Sequence, residues 1–449
     1  MPARVVLSLP SWAVALLLIA VAIGAHAPIL GCSFFSDDFQ VLWRLGTNGD
    51  SSFFRPLSDL TLQANLALAG PEAWTFRMVN LTLLGINGWL VHVLAKRLIG
   101  SEAALSAGLL FVFYPFHLEP QAWIIGRGIA LAAAFTLGAL VVAISNAPSA
   151  MRAIAVALLV LLGAFCYEST LLTPLLLTAC WLIVRPPDHK AWRAMVVASG
   201  AAVVLNLAIR HGVLGGLAND YGAAFFVKPV GDYLSSAMKL VGRSFLPPHA
   251  ETSVQTVRFT LLLVVLAAVA IWVWRSNRAR PERLRTASLL VVLFGITSII
   301  PCVGGVSTRT SESDRFLYLP SAFLCILLAF LVNRISQRTL RLASLGVVLL
   351  ASCYQLRGGM EHWRIASRTV ERILVETPRP PQDGRLIVSD LPGDHEGAYI
   401  FRHGFREALL LGGREVDRIV VETDSAEEAR LGDRRIKWTD DGFVDEREP

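Results

Sequence analysis

Two adjacent carboxylates, Asp37 and Asp38, follow directly on the first membrane-length apolar run of this chain. Ionisable side chains are costly at a bilayer and mark sites that use them. A carboxylate at a membrane edge, within reach of a hydroxyl, can take its proton as a general base. Read as an extended loop, the pair points its side chains in opposite directions. One carboxylate then faces a substrate while the other bonds the loop or a metal. The plainer reading is a solvated pair that caps the first span.

A second cluster lies in Tyr114-Pro115-Phe116-His117-Leu118-Glu119-Pro120-Gln121-Ala122-Trp123-Ile124-Ile125-Gly126-Arg127. Glu119, Trp123 and Arg127 recur every four residues, so one helix would align them on one face. A Trp beside an Arg can hold a sugar ring next to an anionic group. Equally, Trp is at home at a membrane interface, and Glu with Arg can be a structural pair. A third cluster is Asp314-Arg315 with Tyr318. Arg binds two phosphate oxygens at once and never loses its charge. It also snorkels to interfaces with no function at all. Glu168 lies at the junction of two apolar runs, and Lys228 and Arg243 lie in the long segment 211–256; each is a single charge. Asp37, Asp38, His117 and Glu119 offer hard ligands suited to Mg²⁺ or Mn²⁺, although no spacing demands a cation.

The elements that must position these residues are transmembrane helices. The 449 residues are 54% hydrophobic and only 17% charged, where a soluble chain carries about a quarter charged. Eleven apolar runs are expected to span, at about 11–31, 74–95, 103–116, 129–145, 151–167, 169–184, 194–210, 257–274, 287–301, 316–332 and 342–356. Residues 58–70 and 231–246 read as amphipathic helices lying on the membrane, and 117–128 as a polar hairpin. The net charge of +6 sits in short basic loops, such as the five Arg between 275 and 285. It reports orientation and excludes nucleic acid as the partner. The positive-inside rule puts the N-terminus and those loops in the cytoplasm. The acidic pair, the Glu119 cluster and Arg315 then share the outer face, with a first outer loop at 32–73 and an outer segment at 211–256. Arg4 and Ile29-Leu30-Gly31-Cys32 loosely imitate a lipoprotein signal, but Leu30 is large for that site and more spans follow. An uncleaved first span is expected. Of six Cys, Cys32 and Cys302 lie near one face and could bridge; no Cys-x-x-Cys spacing occurs.

The fold class expected is therefore an all-α polytopic domain, residues 1–356, followed by 357–449 outside. That second part opens with a charged amphipathic helix over 357–377, broken by Pro378. Beyond it, 385–388 and 418–421 read as strands and 397–411 as a helix, making a small α/β domain without a phosphate loop or an evident catalytic set.

The order of the clusters resembles the GT-C superfamily of polytopic glycosyltransferases. It is most similar to the branch related to protein O-mannosyltransferases that usually carries tetratricopeptide repeats. The resemblance rests on Asp37-Asp38, on Phe54-Arg55-Pro56-Leu57-Ser58 leading through Asn65 to Asn80, on Tyr114 to Arg127, and on Ser313-Asp314-Arg315-Phe316-Leu317-Tyr318-Leu319-Pro320-Ser321. Tyr167-Glu168 with Pro174 is a weaker match. Together these run in order through residues 11–360. Tyr114 and Arg77 stand where the family has His, Tyr167 stands where it has Lys, and the repeats are absent. The resemblance implies a polyprenyl-phosphate sugar as donor, Asp37 as the base that activates an acceptor hydroxyl, and Asp38 as its support. It implies inversion at the anomeric carbon, with Arg315 and Arg127 stabilising the departing phosphate. His117, Glu119, Trp123 and Tyr318 would shape the sugar pocket, with Arg55 and Glu168 in lesser roles. The acceptor could be a protein, a glycan or a lipid.

Two other classes remain open to the sequence: a lipid-linked sugar flippase or transporter, and an inactive scaffold displaying the outer domain. Transporters favour broken helices and inverted repeats at mid-membrane, whereas the charges here gather at one face. Ala/Leu/Arg-rich usage points to a bacterial plasma membrane.

Overall fold

The computed structural model describes residues 9–47, 49, 53–216, 228–421 and 432–445. Arg4, part of the Gly-rich stretch after residue 216, and the chain between 421 and 432 lie outside them. Helices dominate. In chain order, α1 (Ser11–His26) leads to α2 (Asp37–Thr47) and α3 (Pro56–Ala69), then α4 (Ala73–Ile99) and α5 (Ser101–Val112). A short α6 (Leu118–Ala122) precedes α7 (Arg127–Ala143), α8 (Ser149–Ala164), α9 (Thr173–Val184) and α10 (His189–Leu214). Then come α11 (Val230–Arg243), α12 (Thr252–Asn277), α13 (Pro281–Thr297), α14 (Ile299–Gly304), α15 (Tyr318–Val332) and α16 (Arg338–Glu376).

Every apolar run read as a span coincides with one of these helices. Among the described residues, seven helices are long and apolar enough to cross a membrane, or eight if the pair Ser101–Val112 and Pro115–Ala122, bent by 51°, is a single span. The chain is a multi-pass membrane protein. Its apolar outer faces have the look of lipid contacts: α12 buries only Asn277, and Val257, Leu261, Val264 and Val265 stand exposed on it.

Without a hydrophobic drive between helices in lipid, close packing depends on small residues. At Gly85 of α4, a Cβ would sit 2.4 Å from the Ile19 Cα of α1. At Gly108 of α5, one would sit 2.8 Å from the Gly88 carbonyl of α4. These glycines set the distances among α1, α4 and α5, the frame from which the Asp37 loop departs. Gly85→Leu is expected to cost about 1–3 kcal/mol through overpacking, read as a lower unfolding midpoint in detergent. An unchanged midpoint would mean that α1 is not held where Gly85 allows it.

Three expectations need correction. Asp37 and Asp38 are not in an extended loop but open α2, where carboxylates favour the helix N-terminus. Residues 117–128 are not a polar hairpin; they fold as short helical turns buried in the bundle. The helix expected over 357–377 does emerge from the final span, the two forming one continuous helix, α16, of 39 residues. All six cysteines are free, so Cys32 and Cys302 do not bridge.

After Pro378 the chain builds a small α/β domain. Strands β1 (Leu386–Ser389), β2 (Asp394–His395), β3 (Ala398–Tyr399), helix α17 (Phe405–Leu411), and strands β4 (Ile419–Val421), β5 (Arg434–Thr439) and β6 (Gly442–Asp445) follow in order. The main sheet runs β4-β1-β5-β6. Both β4 and β5 lie parallel to the fully buried β1, and β6 returns antiparallel to β5. Strands β2 and β3 form a separate hairpin. The residues expected as one helix over 397–411 divide into β3 and α17. Gly404 explains the division: its φ is +81°, and a Cβ there would lie 2.3 Å from the Ser36 carbonyl. The domain therefore lies directly against the start of α2.

Candidate active site

The two carboxylates that open α2 have different surroundings. Asp38 is fully buried. Its Oδ2 accepts from the Phe35 N–H at 3.1 Å and its Oδ1 from the Ile125 N–H at 3.4 Å. Burial pushes its pKa up to about 7, against the pull of Arg77 and the backbone donors. Arg77, on α4, ties down the loop that leads into the pair, donating to the carbonyls of Cys32 and Ser33 and to that of Ala122 at 2.9 Å. Asp38 is thus a fixture of the loop. Asp37 instead lines an open cavity of about 450 Å³ with Arg44, Arg55, Asp59, Trp123, Tyr167, Arg315 and His403. Burial raises its pKa, while His403, the Ser36 hydroxyl, Arg315 and Arg402 draw it down.

Arg315 is anchored at the wall of this cavity by Glu119. Its Nη1 donates to Glu119 Oε1, and its backbone N–H donates to Glu119 Oε2 at 2.9 Å. Glu119 is 2% exposed, so the pair is largely withdrawn from water. The guanidinium lies 5.4 Å from the Trp123 ring. Arg315 Nε and Nη2 have no protein acceptor among the described residues. The Trp123 indole N–H is likewise buried without a partner there. Across the cavity, Arg55 Nη2 donates to Glu168 Oε2 at 2.9 Å, and Arg210 Nη2 to Glu168 Oε1 at 3.2 Å. Arg55 also lies over the Tyr167 ring at 4.4 Å.

Of the residues singled out by sequence, Asp37, Arg55, Trp123 and Arg315 line one cavity, with Glu119 holding Arg315 and Glu168 holding Arg55. Three others sit elsewhere. The four-residue period of Glu119, Trp123 and Arg127 does not make a helical face, because α6 ends at Ala122 and Trp123 is extended. Arg127 turns to α3 and α4, bonding Asn80 Oδ1 at 3.0 Å, the Thr61 carbonyl at 2.9 Å and Asn65 Oδ1 at 2.8 Å. It welds those helices together. His117 is fully buried, 2.7 Å from Ser321 Oγ and packed on Phe111 and Tyr318. The Tyr318 hydroxyl accepts from Asn87 at 3.1 Å inside the bundle.

The same placements bear on a cation. Both Glu119 oxygens are taken by Arg315, Asp38 by backbone donors, and His117 by Ser321. Among the described residues no three His, Cys, Asp or Glu side chains are placed to hold a metal. The donor set proposed for Mg²⁺ or Mn²⁺ therefore does not fit, and no metal step is assigned to it.

Sequence reasoning missed the contribution of the C-terminal domain. Tyr399 and His403 reach the site from the β2–β3 hairpin and the turn after it. The Tyr399 hydroxyl donates to Glu119 Oε1 at 2.6 Å and accepts from Arg315 Nη1 at 2.7 Å. No local pattern announces such contacts, which join residues 280 apart in the chain.

Comparison of this architecture with solved structures is decisive for the fold. ArnT from Cupriavidus metallidurans superposes over 96% of this chain and 93% of its own, with a TM-score of 0.53 at 14% identity in the apo state. The same protein bound to undecaprenyl phosphate gives a TM-score of 0.53 at 15% identity. This is the GT-C fold. By sequence, the chain is similar to protein O-mannosyl-transferase F38B6.6 of Caenorhabditis elegans, 26% identical over 332 residues, or 67% of this chain and 45% of that one. It is also similar to mouse protein O-mannosyl-transferase TMTC2, 33% identical over 95 residues, covering 21% of this chain and 11% of that one. The chain spans less than half the length of these curated relatives. No family model matches it.

Proposed function

We propose that the protein is a membrane glycosyltransferase that moves a sugar from a polyprenyl-phosphate donor to an acceptor hydroxyl, with Asp37 as base. The observation that carries this reading is the cavity where Asp37 faces Arg315, a cation fixed by Glu119 and with donors to spare. Mannosyltransferase relatives and the GT-C fold support the reaction class, and the lipid complex of ArnT supports the type of donor.

In this mechanism Asp37 takes the proton of the acceptor hydroxyl. The oxygen attacks the anomeric carbon as the bond from that carbon to the phosphate oxygen breaks. The bonding pair leaves with the polyprenyl phosphate, and the anomeric configuration inverts. Negative charge grows on the departing phosphate, so Arg315 stabilises the transition state more than the ground state. Trp123 offers its ring as a wall for the sugar. Arg55, held by Glu168, faces them from the far wall. Asp38 and Arg77 keep the loop in place. The site is taken to open on the outer face of a bacterial plasma membrane, with the N-terminus and the basic loops in the cytoplasm.

The test is sugar release from a panel of labelled polyprenyl-phosphate sugars by purified protein in lipid. Turnover of one donor supports the reading. Transport of lipid-linked sugar across vesicles without release would replace it with the flippase reading. Asp37 also predicts the pH profile. The base works only when ionised, and burial raises its pKa above the usual carboxylate range. Activity is therefore lost as pH falls through that raised value. His403→Ala removes a positive neighbour that lowers this pKa, so the acid limb of kcat/KM moves to higher pH. A limb that stays or moves down would remove His403 from the field of Asp37.

A further inference from the structure

We infer that Tyr399, in the C-terminal domain, is a positioning residue for Arg315, so that the site is complete only when that domain is docked. The inference rests on the glycosyltransferase reading above. A phenol has one proton to give. Tyr399 gives it to Glu119 Oε1 and takes a bond from Arg315 Nη1 on the same oxygen. The three groups close a ring of hydrogen bonds. Glu119 alone would hold Arg315 by its backbone N–H and one guanidinium nitrogen. The Tyr399 hydroxyl fixes the direction of that nitrogen, and with it the plane of the guanidinium. Burial and the adjacent Glu119 charge raise the Tyr399 pKa, so the phenol keeps its proton and remains a donor.

The ring around that hydroxyl is itself fixed. It meets Trp123 edge-on at 5.2 Å, which places it against the cavity wall, and Trp363 of α16 at 5.9 Å. Trp363 in turn packs on Phe35, beside the acidic pair, at 4.9 Å. The hairpin that carries Tyr399 is tethered to the bundle at two further points. The Ser311 N–H donates to the Glu396 carbonyl at 3.1 Å, and the Ser36 N–H donates to the Ile400 carbonyl at 2.9 Å. Arg402 spans Glu312 at 2.5 Å and Asp394 at 2.7 Å. These contacts fall on both sides of Tyr399 and on the two segments that carry Asp37 and Arg315. The domain is braced where a misplaced Arg315 would cost most, because small errors in a charge-stabilising group weaken catalysis steeply.

The experiment compares Tyr399→Phe, Arg315→Gln and the double variant in the full-length protein reconstituted in lipid. Tyr399→Phe is expected to lower kcat about 10-fold or more, with the donor KM changed less than about 3-fold. Because Tyr399 acts through Arg315, the double variant should be no slower than Arg315→Gln alone. A second readout needs no turnover: binding of undecaprenyl phosphate, followed by tryptophan fluorescence. Tyr399→Phe should weaken it in the wild-type background and not in Arg315→Gln. Unchanged kinetics and binding, or equal losses in both backgrounds, would overturn the inference. If the wild type releases no sugar yet binds the lipid with this non-additive pattern, the transferase reading fails and the positioning role stands. If the wild type neither turns over nor binds, both are overturned.

Discussion

Asp37→Asn is expected to abolish transfer, lowering kcat by about 10²–10⁴-fold, the usual worth of a positioned general base. The amide keeps the size and the helix-opening geometry of the carboxylate but cannot accept the proton. Donor affinity should change little, because the donor phosphate is held by cations rather than by Asp37. The loss should therefore fall on kcat and on kcat/KM alike, as for an interaction made in the transition state. Asp38→Asn is the informative partner. Its oxygen can still accept from the Phe35 N–H, and the bond given up is the longer one from the Ile125 N–H at 3.4 Å, so the loss should be smaller. The measurement is single-turnover release of labelled sugar, with folding checked by unfolding in detergent. Wild-type rates in Asp37→Asn would remove Asp37 as the base, and equal losses in both variants would mean that the pair acts as one unit.

The largest stability effect is expected at Arg243 and Asp314. Both side chains are almost wholly buried and form an ion pair. Arg243 further bonds the Ser307 carbonyl at 3.0 Å and the Leu246 carbonyl at 2.5 Å, and lies over Phe116 at 4.5 Å. It thus joins α11, the segment before Arg315 and the turn that leads to Glu119. Removing one partner strands a buried charge, which costs about 3–5 kcal/mol, whereas replacing both with apolar groups is often neutral. Asp314→Leu alone and Arg243→Met alone should each unfold far more easily in detergent. The double change should recover most of that loss. Neutral single variants would mean that water reaches the pair.

Much of this fold was legible because apolar period and length are local. Each apolar run became a helix, residues 58–70 and 231–246 became α3 and α11, and the two strands read in the C-terminal domain came within a residue of β1 and β4. Asp37, Arg55, Trp123 and Arg315 were legible as residues that could do chemistry, and they do share a cavity; the neighbour Asp38 is buried away from it. Geometry was not legible. The period of four through Glu119, Trp123 and Arg127 described a helix that Trp123 interrupts, and Arg127 fell to the opposite side. His117 and Tyr318, attractive as polar groups near a span end, are consumed by packing. Strands β5 and β6 went unread because their sequence alternates weakly and is rich in charge. Tyr399 carries no local signal, and Arg77 stood out only as a departure from the family's His; their roles arise from contacts with segments far away in the chain.

The continuity of α16 has a mechanical consequence. At 1.5 Å per residue its 39 residues measure about 58 Å, roughly twice the thickness of a bilayer's hydrocarbon core. Trp363, two-thirds of the way along, touches the ring of Tyr399. One stiff rod therefore has its foot among apolar, outward-facing residues and its upper part against Tyr399. A helix meets a change in bilayer thickness by tilting, and a rod of this length turns a small tilt at its foot into ångströms of travel at its tip. The placement of Tyr399, and of the proposed site beside it, is therefore expected to follow the thickness of the surrounding membrane.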